Sequence, residues 1–381
     1  PAVLSGENKG TVLAMGGELK NSFCIGVNDL CYLSPYVGDL QDLRTVQALE
    51  ETIGRFQTLL EAQPQAVVCD LHPGYNSVAM AKNTNLPLIQ VQHHYAHILS
   101  CMAENDYHDP VIGVSFDGTG YGTDGTIWGG ELILAREDGF RRLGSIQPFL
   151  QLGGDASARE GWRIAVSMIY ALTKDRAATL DIIRKLALCE ENTAKVQLTM
   201  ADRRINAVRS TSAGRLFDGV SAILGIRTAS TFEGEASTAL QYRAEAWNKA
   251  HPSTNVIPLE APEMDAKGFL TLPTDRLVQD ILTRRLAGES VDRLAMEFHR
   301  RLAGQIAGAV QEARKQTGLP AVALSGGVFQ NRLLLELTAE LLKQMKFHVL
   351  THHLVPPNDG GIALGQAVYG LKQLQIQKNE T

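Results

Sequence analysis

Short apolar runs alternate with longer amphipathic segments along the whole chain. Residues 11–15, 22–27, 66–71 and 88–91 have the length and the β-branched content of buried strands. Residues 42–60 instead carry apolar side chains at helical spacing, and Gln63-Pro64 ends that pattern. This alternation predicts an α/β protein.

The middle of the chain is predicted to be richer in helix. Strands are expected at 111–116 and 126–135, and the glycines at 118, 120, 122 and 125 predict a loop between them. A long helical region is expected from about 157 to 224, broken at 210–214. The proline-rich residues 249–274 predict a surface excursion.

The last third repeats the combination of strand, glycine turn and helix. Apolar residues at steps of three and four between Val291 and Val310 predict a long helix. Strands at 321–324 and 348–350 each lead through glycines into a predicted helix. Glycine-rich strand-to-helix connections thus occur in both halves, which a two-lobed nucleotide-binding fold with a cleft between its lobes would explain.

Composition narrows the class of protein. The chain has 381 residues, enough for roughly two or three domains, and its net charge of -5 disfavours a dedicated nucleic-acid binder. No apolar run reaches the length of a membrane span. The five cysteines are scattered and lack C-x2-C spacing, which favours a reducing cytoplasm over a disulfide framework or zinc knuckle. The chain starts at Pro1 with no methionine before Met15, so we expect a processed chain or a fragment of a longer one.

A histidine cluster follows the strand predicted at 88–91. His93 and His97 would lie one turn apart on one helix face, close enough to share a metal ion. Imidazole suits Zn, Fe, Cu or Ni, so the pair does not name the ion. The structural alternative is one surface histidine and one hydrogen-bonded core histidine. The absence of H-E-x-x-H argues against a zincin protease.

Two glycine-rich stretches offer sites for an anion. Asp117 ends an apolar strand and precedes glycines at 118, 120 and 122, so it can bind metal or position a water, while the backbone N–H groups approach an anion. The alternative is a tight hairpin. Residues 325–331 lie between a strand and a helix, where a helix N-terminus favours phosphate, although neither P-loop nor G-x-G-x-x-G is present. A purely structural turn is the alternative there.

Carboxylates elsewhere are further candidates. Asp359, before Gly360-Gly361, is either a helix N-cap or a third metal ligand beside two histidines. Asp218 and Glu233 either hold ribose hydroxyls or are solvated acids at helix ends. Three more histidines, assigned no role, are expected at the surface or at sheet edges: His299, His352 and His353.

Together these stretches resemble the family that contains the tRNA threonylcarbamoyl transferases and the related carbamoyltransferases. The pattern Pro87-x-Ile89-x3-His93-x2-Ala96-His97-Ile98 is similar to the family signature. Residues 214–225 look like its ribose-binding helix and residues 325–331 like its second glycine turn. The resemblance covers nearly the whole chain.

This resemblance implies the actin-like/sugar kinase/heat-shock ATPase fold, an α/β fold with two lobes and with nucleotide and metal in the cleft. Lobe I would span 1–108 with the closing helix in 358–381 returning to it, and lobe II would span 109–357. The metal ligands implied are His93, His97, Asp117 and Asp359. The nucleotide contacts implied are Gly118, Ser325, Gly326 and Gly327 near phosphates, and Gly214, Asp218, Asn331 and Glu233 near the nucleoside.

Within the family, the chain resembles most the C-terminal half of the hydrogenase-maturation carbamoyltransferases. The residues that carry this resemblance are 18–21, 34–40 and 116–131. It implies transfer of carbamoyl from carbamoyl-adenylate to the C-terminal cysteine of the HypE maturation protein, with a divalent metal (Fe or Zn) and ATP or AMP as cofactors. The domain that makes carbamoyl-adenylate would lie outside this chain.

Two other functions compete with this interpretation. The same fold can transfer carbamoyl or threonylcarbamoyl to a tRNA adenosine or to a small-molecule hydroxyl. A non-catalytic nucleotide-switched module would bind nucleotide without needing His93 and His97.

Overall fold

Two β-sheets organise the chain, which the computed structural model describes at residues 2–4, 10–252 and 256–380. The first sheet has the strand order β1-β4-β3-β2-β5-β6. Its strands are β1 (Ala2–Val3), β2 (Thr11–Ala14), β3 (Cys24–Val27), β4 (Leu30–Leu33), β5 (Ala66–Asp70) and β6 (Leu88–Val91). The helices of this part are α1 (Leu43–Leu59), α2 (Asn76–Asn83) and α3 (His93–Glu104).

The second sheet is built around β7, β8 and β14 and carries most of the remaining helices. Its strands are β7 (Val111–Tyr121), β8 (Ile127–Arg136), β9 (Gly139–Ile146), β10 (Phe149–Leu152), β11 (Ala207–Ser210), β12 (Glu263–Met264), β13 (Leu270–Leu272), β14 (Ala321–Ser325) and β15 (His348–Leu350). The helices are α4 (Gly161–Thr173), α5 (Arg176–Leu186), α6 (Glu191–Arg203), α7 (Ala213–Ile223), α8 (Glu235–Ala250), α9 (Thr274–Leu286), α10 (Val291–Thr317), α11 (Arg332–Gln344) and α12 (Ile362–Glu380).

The α/β class and the two-part architecture are confirmed, whereas three local expectations hold only in part. Gly118 and Gly120 lie inside β7 and not in a loop, because the strand continues past a register shift against β8 between Phe116 and Gly120. The region 157–224 holds four helices and also β11, and Gly214 lies inside α7. Residues 249–274 are not only a surface excursion, since buried β13 joins the second sheet; residues 253–255 lie outside the described part.

Both sheets are buried on two faces, and side chains alternate between separate cores. In β2, Val12 faces the core shared with α3 and α12, while Leu13 faces the core under α1 and α2. In β14, Ala323 faces the shared core, and Val322 and Leu324 face the helices α4 to α11. Helices α3 and α12 therefore lie between the two sheets.

Helix α12 packs on α3 and on β2, β3 and β5 of the first sheet. The lobe boundaries that we place near 108 and 357 stay predictions. Among the described residues, no helix has both the length and the apolar character needed to cross a bilayer.

The crossing of α3 and α12 depends on one glycine. A Cβ atom on Gly365 would lie 1.9 Å from the carbonyl oxygen of Ala96 and 2.9 Å from the backbone nitrogen of Ser100. The two helix backbones therefore touch at Ala96, in the helical turn that carries His93 and His97.

We expect Gly365→Ala to lower the free energy of unfolding by about 1–3 kcal/mol, because the methyl group must push two buried helices apart. Chemical denaturation followed by circular dichroism measures the change. Gly54→Ala is the matched control, since the Cβ of residue 54 would meet nothing within 4 Å on exposed α1. The control should gain roughly 0.5–1 kcal/mol from helix propensity. Equal behaviour of the two variants would contradict the packing argument.

Candidate metal and nucleotide site

Four side chains converge from helix α3, strand β7 and the turn that precedes α12. His93, His97, Asp117 and Asp359 each offer a ligand atom, and these atoms all lie within 4.8 Å of one another. The Nε2 atoms of the two histidines lie 3.1 and 3.4 Å from Oδ2 of Asp117. They lie 3.6 and 3.7 Å from Oδ1 of Asp359. Two imidazoles and two carboxylates thus converge on one point from three separate chain segments.

Local sequence explains how the histidines come to face this point. β6 ends at Val91, and Gln92 caps α3 by accepting a hydrogen bond from the backbone nitrogen of Tyr95. His93 is the first helical residue and His97 follows one turn later, so both rings lie on one face, 5.0 Å apart.

The two carboxylates come from irregular backbone. Asp117 lies at the register shift in β7, where the strand departs from its pairing with β8. Asn358 caps the short 3₁₀ turn Asp359–Gly361 by accepting a hydrogen bond from the backbone nitrogen of Gly360 at 3.0 Å. The capping role that the sequence offers for Asp359 therefore belongs to Asn358, and the carboxylate of Asp359 faces the histidines.

The donor set fits a divalent transition metal. Two imidazole nitrogens with carboxylate oxygens are ligands that zinc and iron accept. The Nε2 atom of His97 is buried and has no hydrogen-bond partner among the described residues. A buried polar atom without a partner is costly, and a metal ion at this point would satisfy it.

The electrostatics of the cluster lead to the same conclusion. Burial by itself lowers the pKa of His93, but the charges of Asp359 and Asp70 and the hydrogen bond with Asp117 outweigh it, so this pKa is raised well above its usual value. Burial raises the pKa of Asp117, but its hydrogen bond with His93 and its contact with the ring of His97 outweigh this effect, so that pKa is well below its usual value. The carboxylates thus favour positive charge at the centre of the cluster, and a bound cation would supply that charge.

Asp70 orients the ring of His93 through the Nδ1 atom. The Nδ1 atom of His93 donates a hydrogen bond to Oδ2 of Asp70 at 2.7 Å, which leaves Nε2 directed at Asp117. Sequence reasoning missed Asp70. The available signal was its place at the carboxyl end of β5, because β5 runs parallel to β6 and pairs Asp70 with Val91, two residues before His93.

A cavity of about 340 Å³ opens beside the cluster. Asp117 and Asp359 belong to the cluster and also line the cavity. Six of the eight predicted nucleotide contacts line this cavity, namely Gly118, Gly214, Asp218, Glu233, Gly327 and Asn331. Ser325 and Gly326 are not among its lining residues. The hydroxyl of Ser325 bonds instead to Nε2 of His352 at 2.8 Å.

Close backbone approach explains the glycines around this cavity. A Cβ atom on Gly214 would lie 2.9 Å from Cα of Gly118, so the first turn of α7 rests directly on β7. Ser212 caps α7 and also donates to the carbonyl oxygen of Gly118. The backbone nitrogen of Gly327 donates to Oδ1 of Asp117 at 3.0 Å.

The cavity contains two cations that sequence reasoning missed. Lys20, from the segment after β2, forms an ion pair with Glu233, and Arg215 pairs with Asp218 at 2.7 Å. Lys20 falls inside the 18–21 stretch that carries the family resemblance, which was the one signal for it.

The expected surface or sheet-edge position is wrong for His299, whereas His352 and His353 follow β15 at the edge of the second sheet. His299 is fully buried, and its Nδ1 atom donates to the carbonyl oxygen of Ala295 while Nε2 accepts from Nδ2 of Asn331. Burial lowers the pKa of His299 to about 4, so it is neutral. The side chain of His352 is 4% exposed, and His353 is exposed.

Known proteins match the chain over nearly its full length. Residues 7–104 match the family described as HypF Kae1-like domain, and residues 113–366 match the carbamoyltransferase, Kae1-like domain, second subdomain. Carbamoyltransferase HypF2 of Cupriavidus necator is 33% identical over 95% of this chain and 47% of its own length. A HypF homolog of the same organism is 35% identical over 97% of this chain and 93% of its own length.

Solved structures agree with this match. The crystal structure of full-length HypF in the phosphate- and nucleotide-bound form has a TM-score of 0.90 and 32% identity, covering 98% of this chain and 48% of that one. The structure of HypF from T. kodakarensis has a TM-score of 0.87 and 27% identity, with 98% and 49% coverage.

The two-sheet fold and the convergent cluster beside the cavity define a Kae1-like domain. More specifically, the chain belongs to the HypF carbamoyltransferase family, which confirms the resemblance found in the sequence. It spans about half the length of most of the curated relatives that it matches.

We expect Asp70→Asn to raise the dissociation constant for Zn²⁺ by about 10–100-fold, because the amide no longer fixes the tautomer and orientation of His93. Competition with a chromophoric chelator measures this constant. The control is Asp181→Asn, which removes an exposed carboxylate 2.7 Å from Lys185 on α5. An unchanged dissociation constant in Asp70→Asn would exclude the orienting role.

Proposed function

We propose that this chain transfers a carbamoyl group from carbamoyl-adenylate to the C-terminal cysteine thiol of a HypE-type maturation protein, a step toward the cyanide ligands of [NiFe]-hydrogenase. One observation carries the proposal: in a member of the HypF family, the cluster of two histidines and two carboxylates shares Asp117 and Asp359 with a cavity of about 340 Å³. A metal in the cluster would therefore lie directly beside a ligand in the cavity.

The charges that line the cavity support a nucleotide that is accompanied by a cation. Four carboxylates line it, those of Asp117, Asp218, Glu233 and Asp359, against the two cations Lys20 and Arg215. A phosphate entering this cavity meets net negative charge unless a metal ion compensates it. The first turn of α7 lines the same cavity, and the N-terminus of a helix favours an anion.

The transfer itself demands little of the chain in acid-base chemistry. The thiolate attacks the carbamoyl carbon, an S–C bond forms, and the C–O bond to the phosphate breaks so that AMP leaves with the electron pair. A cysteine thiol titrates near about pH 8.5, so a site with positive charge can favour the thiolate without a dedicated base. Asp117 and Asp359 then serve as ligands and not as proton acceptors.

The metal-binding side chains would be His93, His97, Asp117 and Asp359, and iron and zinc are the ions proposed. A divalent ion held there supplies a Lewis acid that steadies negative charge on the departing phosphate or on the carbonyl oxygen. The contacts to the nucleoside proposed for this chain are Gly214, Asp218 and Asn331, with Glu233 beside Lys20.

This chain spans about half the length of most of its curated relatives, which leaves open where the carbamoyl donor is made. Carbamoyl-adenylate has to be delivered to this chain, and we propose that a domain outside it makes that intermediate. We also propose a cytoplasmic location, which the five cysteines support because all of them are free thiols.

The test is the mass of a cysteine-ended HypE-type protein after incubation with this chain and carbamoyl-adenylate. We expect a gain of one carbamoyl group with the parent chain. His97→Ala should lower the initial rate by more than about 100-fold, because a metal ligand is lost. The control is His353→Ala, which changes an exposed histidine and should leave the rate unchanged.

Other outcomes point to the competing functions. Modification of tRNA or of a small hydroxyl compound, with none of the thiol, would replace the acceptor but keep the site. Nucleotide binding without any transfer, equal in the parent chain and in His97→Ala, would identify a switch module instead.

A further inference from the structure

A second network of buried polar side chains lies outside the metal cluster and has no part in the function proposed above. The hydroxyl of Ser325 lies 2.8 Å from Nε2 of His352, and Nδ1 of His352 lies 2.8 Å from Oε2 of Glu104. The side chains of His352 and Glu104 are 4% and 5% exposed. Glu104 is the last residue of α3, the helix that begins with His93.

The other oxygen of Glu104 holds the backbone after β15. Oε1 accepts hydrogen bonds from the backbone nitrogens of His353, at 2.7 Å, and of Leu354. The neighbouring Asn105 donates from Nδ2 to the carbonyl oxygen of Thr351 at 3.0 Å. The C-terminal end of α3 thus fixes residues 351–354 to itself.

This fixed segment leads directly to Asp359. The carbonyl oxygen of Pro357 accepts a hydrogen bond from the backbone nitrogen of Gly326 at 3.0 Å. On the far side of Asp359, Ser100 of α3 donates from Oγ to the carbonyl oxygen of Gly361 at 2.8 Å. The residues on both sides of this carboxylate are therefore tied to α3 or to the turn after β14.

The same network reaches Asp117 by a second route. Ser325 is followed by Gly326-Gly327, and the backbone nitrogen of Gly327 donates to Oδ1 of Asp117 at 3.0 Å. The turn after β14 holds Asp117, and the segment after β15 carries Asp359. The imidazole of His352 therefore links this turn to that segment.

The order serine, histidine, carboxylate is also that of a hydrolytic triad, but burial excludes that role in this conformation. Ser325 has no exposed surface, so no carbonyl group can approach its hydroxyl. Burial lowers the pKa of His352, which keeps the ring neutral and able to accept from Ser325. Burial raises the pKa of Glu104, but hydrogen bonds from His352 and from the backbone of Leu354 and His353 outweigh it and lower it to about 2.

We propose that Glu104 and His352 are positioning residues of the metal site, which hold Asp359 and Asp117 at the distance from His93 and His97 that metal binding requires. This inference rests on the metal site of the proposed function. Helix α3 provides both histidines at one end and Glu104 at the other, so a single rigid element sets the geometry of all four ligands.

The test is the affinity of the protein for Zn²⁺ alone, measured by chelator competition, together with the absorption spectrum of the Co²⁺-loaded protein. We expect Glu104→Gln to raise the dissociation constant by about 10–100-fold and to change the Co²⁺ spectrum, because the amide cannot accept all three hydrogen bonds. The control is Glu137→Gln, which breaks a histidine–carboxylate contact of 2.6 Å with partly exposed His108 near the same helix end and should change neither readout.

The outcomes separate this inference from the proposed function. Unchanged Zn²⁺ affinity and Co²⁺ spectrum in Glu104→Gln would overturn the positioning role and leave the metal site standing. Failure of the parent chain to take up Zn²⁺ in a one-to-one ratio would overturn the metal site and this inference with it. If thermal melting without metal shows that Glu104→Gln does not fold, Ser325→Ala replaces it as the test. That variant removes only one hydroxyl of the network and should also raise the dissociation constant for Zn²⁺.

Discussion

Two buried imidazoles that face one buried and one partly exposed carboxylate are the interaction on which the rest of this structure depends. Groups of this kind are expensive to bury unless each is neutralised by another or by a metal ion. His93 meets that requirement on both sides, with Asp70 at one ring nitrogen and Asp117 and Asp359 at the other. The cost of separating these charges keeps three distant chain segments together at one point.

Helix α3 turns this local requirement into architecture. It lies between the two sheets, and the backbone of α12 touches it at Gly365, so its axis has little freedom to shift. Its first turn supplies both histidines and its last residue, Glu104, holds the segment before Asp359. One element therefore carries both histidines, packs in the shared core and holds the backbone that precedes Asp359.

The cavity follows from the same arrangement. Because Asp117 belongs to both the cluster and the cavity, a ligand and a metal would share their boundary instead of occupying separate sites. The approach of α7 to β7, which only glycine permits at position 214, brings the helix N-terminus to that boundary. A divalent ion at this boundary would compensate the carboxylates that line the cavity, which otherwise outnumber its cations.

The sequence by itself determined what depends on local spacing. It identified the α/β class, the helical spacing of His93 and His97 and the turn at Gly326-Gly327, because these depend on neighbouring residues. Only the tertiary structure decided that Asp70 backs His93, that Lys20 meets Glu233 and that His352 is buried against Glu104. These contacts join residues 23 to 248 positions apart, and no periodicity encodes which distant side chains a fold brings together.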